Sequence, residues 1–318
     1  MYRLKSMNAT FRQLRLFLAL ADTGSVTSAA RVMHVTQPTA SMQLKELSNS
    51  IGLPLFEVIS KTVHLTPVGI ELAKTARLMT SEWESFEQLI ANMRGLHTGS
   101  LKIAVVSTAK YFIPKLLGSF CHKYPDIDIA LEVLNRDGVI RRLEQNMDDM
   151  YIMSMPPSTI EIEDEIFMPN PLVMIADKNH FLANVSAISL GDLKTQRFIL
   201  RELGSGTRMA SNLHFKKNKF QPNIRLELGS NEAIKKAVAG GLGIGVMSMH
   251  ALDEYYVQNE LSILDIKDFP IHSNWHIVTA KGKKLSPIAQ VFHDHLINED
   301  KESWVASISR TKTPQQLR

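Results

Sequence analysis

The sequence predicts a chain in three parts: an N-terminal, all-α-rich winged helix-turn-helix, a long coiled-coil linker helix, and an α/β body of two lobes. Three observations predict it. Residues 11–66 hold three short helix-forming stretches closed by a β-branched segment. From Thr66 to Met93 an apolar seam repeats every three or four residues. Beyond Leu101, buried-type apolar runs alternate with amphipathic segments, the grammar of strands and helices in one layered sheet.

Phe11 to Ala21 reads as a helix with Phe11, Leu14, Phe17, Leu18 and Ala21 on one face. Gly24-Ser25 ends it and opens a second helix, to about Met33, packed through Ala29 and Ala30. After the short turn His34-Val35, Thr36 can cap a third helix and Pro38 can occupy its first turn, where a missing N–H costs nothing. Ala40, Leu44 and Leu47 fall on the inner face of that helix, and Gln37, Pro38, Thr39, Ser41, Met42 and Lys45 lie mostly off it. Two small residues at a helix crossing, a tight turn and a polar-faced helix describe a helix-turn-helix suited to a DNA groove. On that reading Gln37, Pro38, Thr39, Ser41 and Met42 face base edges or a thymine methyl, with Gln43 and Lys45 at the margin. Lys45, Lys61, Thr62 and Arg12 hold phosphates, Lys61 and Thr62 from the two-stranded wing expected over Val58–Leu65. The competing reading is a winged helix used for protein contacts.

Charge favours the first reading. The net charge is only +4, but residues 1–66 carry seven Lys/Arg against three acids, so the rest of the chain balances. Cys121 is the one cysteine, which excludes an internal disulfide or cysteine-based zinc site; its apolar neighbours suggest a packed thiol. No apolar run reaches membrane-spanning length and no signal-peptide core precedes the first helix, so a cytoplasmic location and no membrane partner are expected. None of the eleven histidines pairs at zinc spacing, and no nucleophile–histidine order stands out, so neither metal, cofactor nor enzymatic activity is expected. The glycines of Gly240–Gly245 precede a strand instead of following one and lack the context of a nucleotide loop.

Thr66-Pro67 opens the long helix, whose seam is Leu72, Ala76, Met79, Trp83, Phe86, Ile90 and Met93. It points to dimerisation, the alternative being a helix packed on its own domain. Residues 95–100 read as a hinge. Lobe I is expected over 101–170 and 272–297, lobe II over 171–271, and a polar tail over 298–318. Strands near Leu101–Val106, Ile127–Leu134 and Met150–Met155 read as a parallel α/β pattern, and further strands are expected near Phe198–Leu200, Ile224–Leu228 and Trp275–Ala280. Two lobes joined by two crossovers resemble a periplasmic-binding-protein-like (type 2) domain. Ligands of open α/β sheets sit at the C-terminal strand ends, between halves. Ser107, Thr108, Asn135, Arg136, Arg201, Gly206, Thr207 and Arg208 lie at such ends and could bind a small anion through helix N-termini and guanidiniums. The plainer reading has the serines capping helices and Arg136 and Arg208 pairing with acids.

Four blocks in order, Gly24–Ala30, Thr36–Ser41, Gly52–Phe56 and Leu65–Gly69, resemble the LysR-type transcriptional regulators. Met7, just ahead of the first matching residues, is a candidate start. Leu55-Phe56-Glu57, Val106–Phe112, Glu132–Arg136, Asp149–Pro157, Arg201-Glu202 with Gly204–Arg208, and Lys281–Pro287 are similar to the Calvin-cycle (RuBisCO operon) regulators, the CbbR/RbcR subgroup. The likeness runs from residue 7 to about 297. Ser154 stands where the subgroup has glycine, Tyr151 replaces a small residue beside the presumed cleft, and Ile59-Ser60-Lys61 alters the wing. The resemblance implies a homodimer assembling to a homotetramer on an inverted-repeat promoter site in double-stranded DNA, a small anionic metabolite as effector, and room for RNA polymerase as a partner. A solute-binding protein, or a regulator of a non-Calvin-cycle operon, is the alternative on the same fold.

Overall fold

The computed structural model describes residues 8–59, 62–93 and 99–298. Lys61, most of the expected hinge and nearly all of the C-terminal tail lie outside them. The chain forms two compact units, the first carrying the N-terminal residues to Gly95 and the second nearly all the rest.

In the first unit α1 (Phe11–Thr23), α2 (Val26–Val32) and α3 (Gln37–Ile51) precede a hairpin of β1 (Phe56–Ile59) and β2 (Thr62–Leu65), paired antiparallel, and then α4 (Pro67–Met93). The stops and starts are local chemistry. Thr10 and Gln13 form a reciprocal capping box on α1, Ser25 caps α2, and Thr36 caps α3 with Pro38 in its first turn. Gly24 and Gly52 end α1 and α3 in the left-handed region, at φ 63° and 82°, where a side chain would strain the backbone. Ala40, Leu44 and Leu47 are buried, as the periodicity of α3 requires. The inner face of α1 differs from expectation: Leu14, Leu16, Phe17, Ala19 and Leu20 are buried, whereas Leu18 and Ala21 are only partly so. The reason is that α1 packs against α2, α3 and α4 together, so no single stripe is its core face.

The second unit holds two five-stranded sheets, one per lobe. Lobe I is ordered β4 (Ile127–Leu134), β3 (Gly99–Val106), β5 (Met150–Met153), β12 (Asn274–Ala280), β6 (Ile162–Pro169). Lobe II is ordered β11 (Leu261–Ile263), β7 (Leu172–Asp177), β10 (Ile244–Ser248), β8 (Arg197–Arg201), β9 (Asn223–Leu228). The sheets are mixed, and the parallel pattern expected of the first three lobe I strands holds. β3, β4 and β5 run parallel, as do β8, β9 and β10, but the strands next to each crossover, β12 and β7, are antiparallel to their neighbours. The return crossover here delivers β12 to the lobe I sheet in the sense opposite to β5 and β6. Helices α5 (Ile113–Lys123), α6 (Arg136–Glu144) and α10 (Pro287–Asn298) belong to lobe I, with α7 (Gly206–Lys217), α8 (Asn231–Ala239) and α9 (Glu254–Asn259) in lobe II.

Each lobe has its own apolar core, with Trp275, Phe112, Phe120 and Phe292 central in lobe I and Phe198, Phe215 and Met174 in lobe II. Burial on this scale, at about 25 cal/mol per Å² of apolar surface, is what holds each lobe together. Between the lobes the two crossover segments touch. Asn170 N–H donates to Ser273 O at 2.8 Å, and the buried Asn170 side chain accepts from Ser248 Oγ at 2.6 Å.

Candidate DNA-reading face and effector cleft

On α3 the residues singled out from the sequence share the outer surface. Gln37, Pro38, Met42 and Lys45 are exposed, and Thr39, Ser41 and Gln43 are half-buried. Their hydroxyls and amides are partly pre-ordered: Thr36 and Thr39 share a hydrogen bond of 2.8 Å, and Gln37 Nε2 donates to Ser41 Oγ at 3.0 Å. Arg12 on α1 and Thr62 on the hairpin are exposed on the same unit. Met42 is 55% exposed although apolar, which suits contact with a thymine methyl better than solvent.

The long helix supplies a second feature of this unit. Leu72, Ala73 and Ala76 pack into the core of α1–α3, so the first two positions of the expected seam are consumed within the unit. Met79, Trp83 and Phe86 are about half exposed, as are Leu78 and Leu89 beside them. Gly69 in the first turn of α4 lies flush on the hairpin's entry: a Cβ there would stand 1.9 Å from Leu55 O.

In the second unit the strand ends converge. Ser107 and Thr108 begin a 3-10 turn directly after β3, Arg136 opens α6 after β4, Arg201 ends β8, and Ser205 caps α7 at Gly206 and Thr207. With Val106 and Ser154 they line one cavity of about 10 Å³, the room one water needs. Arg201 is 3% exposed and fully engaged. It bonds both oxygens of Glu202 at 2.8 Å, Asn231 Oδ1 at 3.0 Å, Thr108 Oγ1 at 3.3 Å and Ser107 Oγ at 3.4 Å. Asn231 Nδ2 also donates to Thr108 Oγ1 at 3.2 Å. These bonds tie lobe I to lobe II. Burial would raise the Glu202 carboxyl, but the Arg201 guanidinium outweighs that and holds it below the usual range. Arg136 gives Nε and an Nη to Met155 O, at 3.2 and 3.0 Å, a carbonyl and not a carboxylate. Burial lowers its pKa, opposed by Asp137. Such a cation gains from an incoming anion.

Two of the expected residues are elsewhere. The Arg208 side chain leaves the cavity and is spent on Glu227 at 2.8 Å, Arg201 O at 2.7 Å and Asn212 Oδ1 at 3.1 Å. Its plainer reading, pairing with an acid, is the structural one. Asn135 is exposed and caps α6, its Oδ1 accepting from Gly138 N–H at 2.9 Å. Tyr151 is not beside the cavity either: it is fully buried, and its hydroxyl donates to Arg142 O and accepts from Asp148 N–H. Nothing in the sequence marks Asn231 as a cavity residue. Its only signal was its place after Ser230 at a helix start, which marks a cap and not an inward amide. Among the described residues no group of three metal-ligating side chains occurs, and no helix is long and apolar enough to cross a membrane.

A helix-turn-helix head and a two-lobed domain with a cationic cleft together define a DNA-binding regulator that carries a ligand-sensing domain. The sequence matches the family described as "Bacterial regulatory helix-turn-helix protein, lysR family" over residues 11–70 and "LysR substrate binding domain" over residues 94–301. The chain belongs to the LysR-type family of transcriptional regulators. It is 42% identical to the HTH-type transcriptional activator CmpR of Synechocystis over 301 residues, 95% of this chain and 99% of that protein. It is 40% identical to a RuBisCO operon transcriptional regulator of Acidithiobacillus ferrooxidans, covering 91% and 94%. Among solved structures, the regulatory domain of Synechocystis CcmR in complex with 2-PG is 48% identical, with a TM-score of 0.61, covering 63% of this chain and 96% of that one.

Proposed function

We propose that this protein is a metabolite-responsive regulator of an operon for inorganic carbon assimilation, acting in the cytoplasm without catalysis of its own, and that its effector is a small phosphorylated carboxylic acid. The observation that carries the effector is the Arg136 guanidinium, half-buried at the cavity that Arg201 also lines and bonded to a carbonyl, so that an incoming phosphate or carboxylate gains a charge-assisted bond. The 2-PG held by the CcmR domain supports the same class. Ser107, Thr108, Arg201, Gly206 and Thr207 complete the site; Arg208 and Asn135 support it from outside.

The reading face is Gln37, Pro38, Thr39, Ser41, Met42 and Gln43, with Lys45, Lys61, Thr62 and Arg12 on phosphates. The half-exposed Met79, Trp83 and Phe86 of α4 support pairing of two chains through a coiled coil, which sets two heads on half-sites about one helical turn, ~34 Å, apart. Two such dimers make the tetramer, and RNA polymerase is the partner that a promoter-bound activator presents itself to.

Calorimetric titration of the full-length protein with 2-phosphoglycolate tests the effector: saturable binding is expected, and none with uncharged glycolamide. On DNA, Ser41→Ala and Gln43→Ala should each relax base preference in a gel-shift selection. Unchanged preference in both would remove α3 as the reader.

A further inference from the structure

The lobes also meet at the rim, outside the Arg136–Arg201 cavity. Lys110 and Tyr111 belong to the 3-10 turn of lobe I, and Glu232 to the first turn of α8 in lobe II. Tyr111 Oη donates to Glu232 Oε1 at 2.5 Å, while Lys110 Nζ at 3.0 Å and Ser230 Oγ at 3.1 Å donate to Oε2. The Tyr111 ring packs on the lobe II cluster of Ile234, Val238 and Met247. Lys110 Nζ and Lys235 Nζ stand 5.2 and 5.4 Å from the ring centroid, and Lys235 pairs with Asp253 at 3.5 Å. One layer inward, Asn231 holds Thr108 and Arg201. The start of α8 therefore grips the 3-10 turn twice, inside through Asn231 and at the rim through Glu232.

The arrangement so gripped is a closed one. The cavity has about 10 Å³. Gly206 is pressed so closely on lobe I that a Cβ there would stand 2.6 Å from Ser154 Oγ. An anion of several heavy atoms enters only if the lobes part. We propose that Glu232, with Lys110 and Tyr111, is an autoinhibitory latch that holds the effector cleft shut and must yield before an anion is bound. This rests on the cleft being the effector site. A ligand that binds only the open arrangement loses affinity in proportion to the open fraction. One charge-assisted bond and one half-exposed ion pair correspond to about a three- to tenfold shift.

The test uses the full-length protein and four variants: Glu232→Ala, Glu232→Lys, Lys110→Glu and the double reversal Lys110→Glu/Glu232→Lys. Amide hydrogen exchange at residues 205–208 is followed without ligand, and 2-phosphoglycolate affinity by calorimetry. Each single variant should speed exchange there and tighten 2-phosphoglycolate binding about three- to tenfold; the double reversal should recover part of the protection. A gain of affinity is a result that mere damage to the fold does not give. Exchange in Glu232→Ala equal to wild type, or weaker binding, overturns the latch. Should wild type not bind 2-phosphoglycolate while the variants still exchange faster, the effector assignment fails and the latch stands.

Discussion

Arg136 and Arg208 show how two guanidiniums of similar sequence context come to different ends. Arg136 keeps a cationic edge toward the cavity, whereas Arg208 is consumed by Glu227, Arg201 O and Asn212. Arg136→Ala should therefore weaken anion binding at least about tenfold in a calorimetric titration, with little change in urea unfolding. Arg208→Ala should do the reverse, lowering stability by ~1–2 kcal/mol through the loss of a buried side chain and of its bond to Arg201 O. His250 is a third such case. Burial lowers its pKa, against the opposing bond to Pro169 O at 2.9 Å, so the folded ring stays neutral beside Phe112 and Trp275. A group whose folded pKa is depressed binds protons mainly in the unfolded chain. Its contribution is complete above about pH 6.5 and is lost as the pH falls below that. Thermal unfolding of wild type between pH 8 and 5 should show that loss, and His250→Gln should flatten it.

At the scale of elements, what could be read ahead was whatever neighbouring residues decide. Thr36, Pro38 and Gly52 fix both ends of α3, and Ser230 caps the start of α8, because caps and left-handed stops are local chemistry. The polar strand ends that line the cavity were legible for the same reason. What escaped depends on distant partners. The acid that claims Arg208 is 19 residues on, Asn231 turns inward only because Thr108 faces it, and the exterior-looking strand β6 and the three-residue β11 gain their place from the sheet they join. The free face of α4 is a case where the pattern was visible and its reach was not, since Leu72 and Ala76 serve the head. Phe86→Glu tests what is left of it. The ring is half exposed and leans on Trp83 of the same helix, so the variant should keep its helix content by circular dichroism yet sediment as a smaller species. If it sediments as wild type does, the seam is not the pairing surface.

For the whole molecule, affinity for DNA is an electrostatic sum over paired heads. With Arg12, Lys45 and Lys61 as the proposed phosphate contacts, two paired heads would neutralise about six phosphates and give a slope of about −5 for log affinity against log salt. Filter binding from 50 to 200 mM salt measures it. A slope near zero on a promoter fragment would leave the cationic head without a role. Effector control enters the same sum only through its preference for one arrangement of lobes over another, since a ligand that binds both equally moves nothing.

The contact between Gly69 and Leu55 bears on how such a change becomes readable on the duplex. With no clearance between the root of α4 and the strand-loop carrying the hairpin, the two cannot slide against each other. A turn of α4 near its root would therefore be passed to the hairpin it abuts, as through a keyed shaft. Loosening that joint would leave a regulator that still grasps its operator but no longer feels the twist.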